Sequence, residues 1–165
     1  MNWIKAADGN YPGNALEAGL DKDGSPLYII RAPHMGGIHV GKLNPRHGKG
    51  HISFGGNEIP VQEYYVYVGT GSWKRAANGS HPEGAIVGGN EADGTPLYII
   101  RANYNNSLQV GKLNPNHHNA VIPFGGKEVF VYDYEVLVDQ GNTEERSANW
   151  IKAADGNYPA NALKA

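Results

Sequence analysis

The chain has 165 residues, 14 Lys and Arg against 16 Asp and Glu, and no Cys. A near-balanced charge offers no basic field to nucleic acid or an anionic membrane, and the missing thiols exclude thiolate metal sites, thiol catalysis and disulfide staples. The opening MNWIKAAD has no apolar leader region and no stretch approaches a membrane span. A soluble protein is therefore expected, cytoplasmic or released without a classical signal peptide, with no nucleic acid and no membrane insertion.

The 23 Gly and 10 Pro are spread along the chain in turn-like clusters, as punctuation between short strands. Asn2–Ala7 reads as a strand running into Asp8-Gly9, a dipeptide that favours tight hairpins. Leu27–Arg31 and Val61–Val68 follow with period-two alternation, the second placing Tyr64, Val66 and Val68 on one face and Tyr65 and Tyr67 on the other. Ser72–Ala77, leading into Asn78-Gly79, then Leu97–Arg101, Glu128–Val138 and finally Asn149–Ala154 repeat the same succession. No segment sustains a helical period. The expected fold is all-β and antiparallel.

The succession repeats because the sequence does. DGSPLYIIRA at Asp23–Ala32 returns as DGTPLYIIRA at Asp93–Ala102, and about half of the positions in Asp21–Val68 are identical in Glu91–Val138 without a gap. Asn149–Leu163 in turn restates Asn2–Leu16 with one change, Gly13 against Ala160. The chain divides into a first repeat (1–70), a second (71–140) and a linker with a partial third copy (141–165). Modules of this size are marginal alone, so the two complete repeats are expected to be pseudo-symmetric and to share a core, closed by the partial third. The surplus terminal strand would be an unpaired apolar edge, which favours pairing across the chain or a homodimer.

Repetition also filters the chemistry. Gly36–Lys42 matches the Gly-x4-Gly-Lys of a phosphate loop, but Leu43 stands where a magnesium-binding Ser or Thr belongs, and copy two has Asn106 in place of the first Gly. His34, His39, His47 and His51 cluster, yet only His47 keeps a counterpart, His117, and no metal-ligand spacing occurs; solvated loop histidines are the better account. No Ser lies in a nucleophile elbow. Nothing argues for an enzyme, and neither metal nor cofactor is expected.

What both copies retain are polar side chains: Asp21 and Glu91, Asp23 and Asp93, Arg31 and Arg101, Lys42 and Lys112, Glu58 and Glu128. Asp23 and Asp93 precede Gly and suit turns. Arg31 and Arg101 are expected to pair with Glu58 and Glu128, and Lys42 and Lys112 read as surface residues. Trp3, Trp73 and Trp150 head equivalent strands as core anchors.

Gly88–Glu91 (GGNE), the two GxPLYIIRA blocks, VGKL at Val40–Leu43 and Val110–Leu113, and FGGxE at Phe54–Glu58 and Phe124–Glu128 together resemble the DM9 repeat. The likeness is nearest to tandem-DM9 mannose-binding lectins of bivalves and covers nearly the whole chain; copy one departs from it with Ala18-Gly19. The resemblance implies an all-β pseudo-symmetric fold, a homodimer and sugar recognition by one carboxylate and one Lys per repeat, which map to Asp21 with Lys42 and Glu91 with Lys112. Such a pair can grip a diol, the carboxylate accepting and the ammonium donating. The implied function is a metal-independent lectin for mannose-type glycans in innate defence. Tyr104 is a candidate aromatic neighbour. If Pro33–His39 and Asn103–Gln109, which differ strongly, border the sites, the sites should differ in affinity. The alternatives are a non-catalytic protein-interaction or structural β-module, and a sensing module of the kind that accompanies pore-forming domains.

Overall fold

The computed structural model describes residues 2–140. The first copy supplies β1 (Asn2–Ala7), β2 (Glu17–Leu20), β3 (Pro26–His34), β4 (Gly37–Asn44), β5 (Lys49–Phe54), β6 (Asn57–Val61) and β7 (Glu63–Val68). The second supplies β8 (Ser72–Ala77), β9 (Val87–Asn90), β10 (Pro96–Tyr104), β11 (Ser107–Leu113), β12 (Ala120–Phe124), β13 (Lys127–Val131) and β14 (Asp133–Val138). The architecture is all-β; the one helical element among the described residues is a 3₁₀ turn, Pro45–His47. No helix is long and apolar enough to cross a membrane. The 141–165 segment, with Trp150 and the surplus strand, lies outside the described residues.

In each copy a meander runs β3–β4–β5–β6 or β10–β11–β12–β13, and every pairing is antiparallel. The copies exchange strands: β2 pairs with both β3 and β11, and β9 with both β10 and β4. The order β3–β2–β11–β10–β9–β4 therefore returns to β3 and closes a ring. Leu27, Ile29 and Val40 of the first copy meet Ile99 and Val110 of the second in its core, with Ala18, Tyr67, Ile86 and Leu137. The alternate residues of the same strands fill one flanking core per copy, around Ile30, Leu43 and Ile52 or around Ile100, Leu113 and Ile122.

Three sequence expectations need adjusting. The Asp8-Gly9 turn forms, with φ of 59° and 86°, but β1 does not continue into a hairpin; its partner is β7, with Trp3 opposite Tyr67. β8 likewise pairs with β14. The Val61–Val68 and Glu128–Val138 strands are each two, broken by bends at Gln62 and Tyr132 that let β7 and β14 leave the meander and cover β3 and β10. Tyr67 does lie on the face away from Tyr64, but it is fully buried in the ring core whereas Tyr65 on the same face is exposed, because only the end of β7 is covered there.

Candidate functional site

The FGGxE motif explains itself first. Gly55-Gly56 and Gly125-Gly126 all have positive φ, between 60° and 89°, and make the tight turns that join β5 to β6 and β12 to β13. The two turns meet across the pseudo-dyad. Glu58 N–H donates to Gly126 O and Glu128 N–H to Gly56 O, at 3.1 and 2.9 Å. Each Glu carboxylate then accepts from the opposite turn, Glu58 Oε1 from Gly126 N–H at 2.8 Å and Glu128 Oε1 from Gly56 N–H at 3.1 Å. Both glutamates are thus held pointing at the two repeated lysines.

Lys42 and Lys112 are buried, 5% and 4% exposed, contrary to their expected place on the surface. β4 and β11 lie inside the fold with neighbours on both sides, which encloses most of their side chains. Each Nζ stands 3.8 Å from its own copy's Glu58 or Glu128, but its short contacts come from the other copy. Lys42 donates to Gln109 Oε1 at 2.6 Å and lies 5.2 Å from the Phe124 ring centre. Lys112 donates to His39 Nδ1 at 2.8 Å and Ser53 O at 2.6 Å, with Phe54 at 5.8 Å.

The carboxylates sit beside these lysines at the half-buried mouths. Asp21 Oδ1 accepts from Gln109 Nε2 at 3.0 Å and from Lys22 N–H at 2.9 Å, while Oδ2 accepts from Asn44 Nδ2 at 2.9 Å. Glu91 Oε2 accepts from Asn114 Nδ2 at 3.1 Å. Asp21 thus lies near Lys42 and Glu91 near Lys112, and each cluster is completed by the opposite repeat. The second cluster opens into a cleft of about 550 Å³ lined by Phe54, Glu91, Lys112, Asn114, Glu128 and Phe130, with His117 and His118 at its rim.

Electrostatics follow from this enclosure. Desolvation lowers the pKa of both lysines, opposed by Glu58 and Asp21 for one and by Glu128 and Glu91 for the other. Burial works to raise the pKa of Asp21, but the hydrogen bonds from Asn44, Lys22 and Gln109, with the Lys42 charge, outweigh it and hold the carboxyl below its ordinary range. His39 is pushed down to about 4 by burial and by the Lys112 charge, so it is neutral at neutral pH. Among the described residues, no cluster of three or more His, Asp or Glu is placed to hold a metal ion.

The expected pairing of Arg31 and Arg101 with Glu58 and Glu128 does not occur. β4 and β5 lie between β3 and β6, so two strands separate Arg31 from Glu58. Arg101 instead bonds Glu135 at 2.7 Å, and Arg31, whose cross-strand neighbour is Tyr65, donates to Gly88 O. Each guanidinium lies 4.2 Å from the centre of an indole, Arg31 over Trp3 and Arg101 over Trp73, and both Trp side chains pack against the ring core. Tyr104 stands edge-on to Phe124, at 5.1 Å, on the Lys42 side. His39 is no loop residue in solvent but a fully buried partner of Lys112. Sequence reasoning missed Gln109, His39 and Phe54 or Phe124 as members of the clusters. The identical FGGxE blocks carried a signal for the phenylalanines and glutamates; His39 and Gln109, which differ, carried none.

A ring closed by strands from two copies of one unit, with a polar cluster at each crossing, defines a tandem-repeat β protein. The chain belongs to the DM9 repeat family, whose model matches residues 1–61, 21–131 and 120–165. No curated protein sequence matches it. Among solved structures it is similar to the crystal structure of the nematode sperm cell motility protein MFP2B, with a TM-score of 0.62 at 13% identity. The match covers 85% of this chain and 47% of the other, so the chain spans about half the length of that protein. At such identity the likeness is one of fold.

Proposed function

We propose that this protein is a carbohydrate-binding lectin for mannose-type glycans, acting without a metal or cofactor and without catalysis, as a homodimer in innate defence. One observation carries the reading. At each crossing of the repeats a half-buried carboxylate, Asp21 or Glu91, stands with an Asn amide beside an enclosed lysine charge that lies over a phenylalanine ring. Such a group accepts hydrogen bonds from vicinal hydroxyls at nearly fixed geometry, and charge-assisted bonds of this kind are about twice as strong as neutral ones. With the lysines so deeply enclosed, the carboxylates and asparagines are the groups a sugar would meet first, and the lysines set the local field.

Retention on mannan-agarose, elution by free mannose and persistence in chelator are the expected outcomes. Asp21→Ala combined with Glu91→Ala should abolish retention while shifting the melting temperature by only a few degrees, the usual scale for partly exposed substitutions. Normal retention by the double variant would remove these residues from the site. The burial of Lys42 and Lys112 favours the second reading, a structural or protein-interaction module whose repeated polar groups tie the copies together. On that reading the double variant melts far lower and the parent chain passes through mannan unretained.

A further inference from the structure

The two clusters share a plan but not a state of occupancy. In the first, Gln109 is fully buried and commits its oxygen and both amide protons to internal partners. Its Oε1 accepts from Lys42, and its two Nε2 protons go to Asp21 Oδ1 and to Ser107 Oγ, each at 3.0 Å. Asn44 holds the other Asp21 oxygen. A hydroxyl that sought Asp21 or Lys42 would have to compete with an amide already bonded to both.

In the second cluster the equivalent position is His39. Its Nδ1 accepts from Lys112, and it makes no hydrogen bond to Glu91. Asn114 is the one side chain among the described residues that bonds the Glu91 carboxylate, and it engages only Oε2. Glu91 itself lines the 550 Å³ cleft. The cleft wall differs too. Val121 and Phe130 face each other across β12 and β13, where β5 and β6 of the first copy place His51 and Pro60. Phe130 is 58% exposed, an open aromatic surface lining the same cleft as a carboxylate with one oxygen engaged, which is the combination that suits the C–H face and the hydroxyl edge of a pyranose.

The difference is carried by coupled pairs of residues. A Cβ added at Gly37 would stand 2.7 Å from the backbone oxygen of Asn90 and 2.9 Å from His39 Nε2, so β9 and the imidazole together leave room only for glycine there. The counterpart of Gly37 is Ser107, whose hydroxyl anchors Gln109. Gly37 with His39 and Ser107 with Gln109 are thus alternative fittings at one position of the fold.

We infer that the two sites are not equivalent: the Glu91–Lys112 cleft is the primary site for a neutral saccharide, and Gln109 closes the Asp21–Lys42 site against it. This rests on the carbohydrate reading above and adds to it a stoichiometry and a determinant. The full chain titrated calorimetrically with methyl α-mannoside should show one site per chain. Glu91→Ala should weaken binding by about tenfold or more, the loss of a hydrogen bond to a charged group, whereas Asp21→Ala should stay within about twofold. Ser107→Gly with Gln109→His, which refits the first site on the pattern of the second, should raise the stoichiometry to two per chain. Two equal sites in the parent, or equal losses in the two single variants, overturn the inequivalence while leaving the lectin reading intact. Absence of any binding by the parent, to the glycoside or to mannan, overturns both. If the double variant fails to fold, the single variants alone decide.

Discussion

His39 accepts from one charged lysine at Nδ1, which places its proton on Nε2, and the whole ring is buried. An imidazole so placed resists protonation, and its pKa falls from 6.5 to about 4. In the unfolded chain the same group takes up its proton near 6.5, so between these values the unfolded state binds more protons than the folded one. Stability is then full above about pH 6.5 and is lost as the pH falls toward 4. His51, also lowered by burial, adds to the same trend. A melting temperature that declines across this window, and declines less steeply in His39→Gln, is the expected result; parallel profiles for the two proteins would show that His39 is not the group responsible. His39 was not legible in the sequence because comparison of the copies keeps what is identical, and His39 differs from Gln109. The same filter found Asp21, Lys42, Glu91 and Lys112. It could not tell that the lysines are buried, since a lone Lys between Gly and Leu looks the same on an exposed strand as on an enclosed one.

At the scale of the element, β1, β3, β7, β8, β10 and β14 were legible and β4 and β11 were not. β1, β8 and β7 announce themselves by alternation or by Trp, whereas β4 and β11, packed on both sides, have no alternation to read. Their glycines show how close the packing is. A Cβ at Gly41 would lie 2.1 Å from His51 O, and one at Gly111 would lie 2.0 Å from Val121 O, both backbone atoms that cannot step aside. This is why the VGKL motif contains Gly: the next strand crosses directly over it. Gly41→Ala or Gly111→Ala should therefore destabilise by about 3 kcal/mol or more, well beyond a typical substitution, or prevent folding. Gly13→Ala, with nothing within 4 Å and the residue that already stands at Ala160, should be silent. Chemical denaturation of the three variants orders them; a Gly41→Ala midpoint matching the parent would show that β4 and β5 can separate without cost. Ala18, the departure from the Gly-Gly pattern, is buried in the ring core without breaking it.

At the scale of the molecule, the sequence announced two copies and a shared core but not the exchange of β2 and β9, because strand-pairing partners leave no mark on local periodicity. The exchange has a cost that can be measured. Residues 1–70 alone would leave β2 without β11, β4 without β9 and β6 without β13, with three edges open and half of the ring core missing. That fragment should give no cooperative thermal transition by circular dichroism, and it should recover one when mixed with residues 71–140. A sharp monomeric melt of the first fragment alone would contradict the shared core.

The same exchange sets an order of events during synthesis. A tandem protein whose modules are self-contained can finish its first module while the ribosome is still translating the second. Here the first copy cannot close until β9 and β11, which end at Leu113, have emerged, so its apolar strands wait with unpaired edges for roughly half of the described chain to be made. Until then the nascent first copy offers open strand edges to any neighbour on the same message.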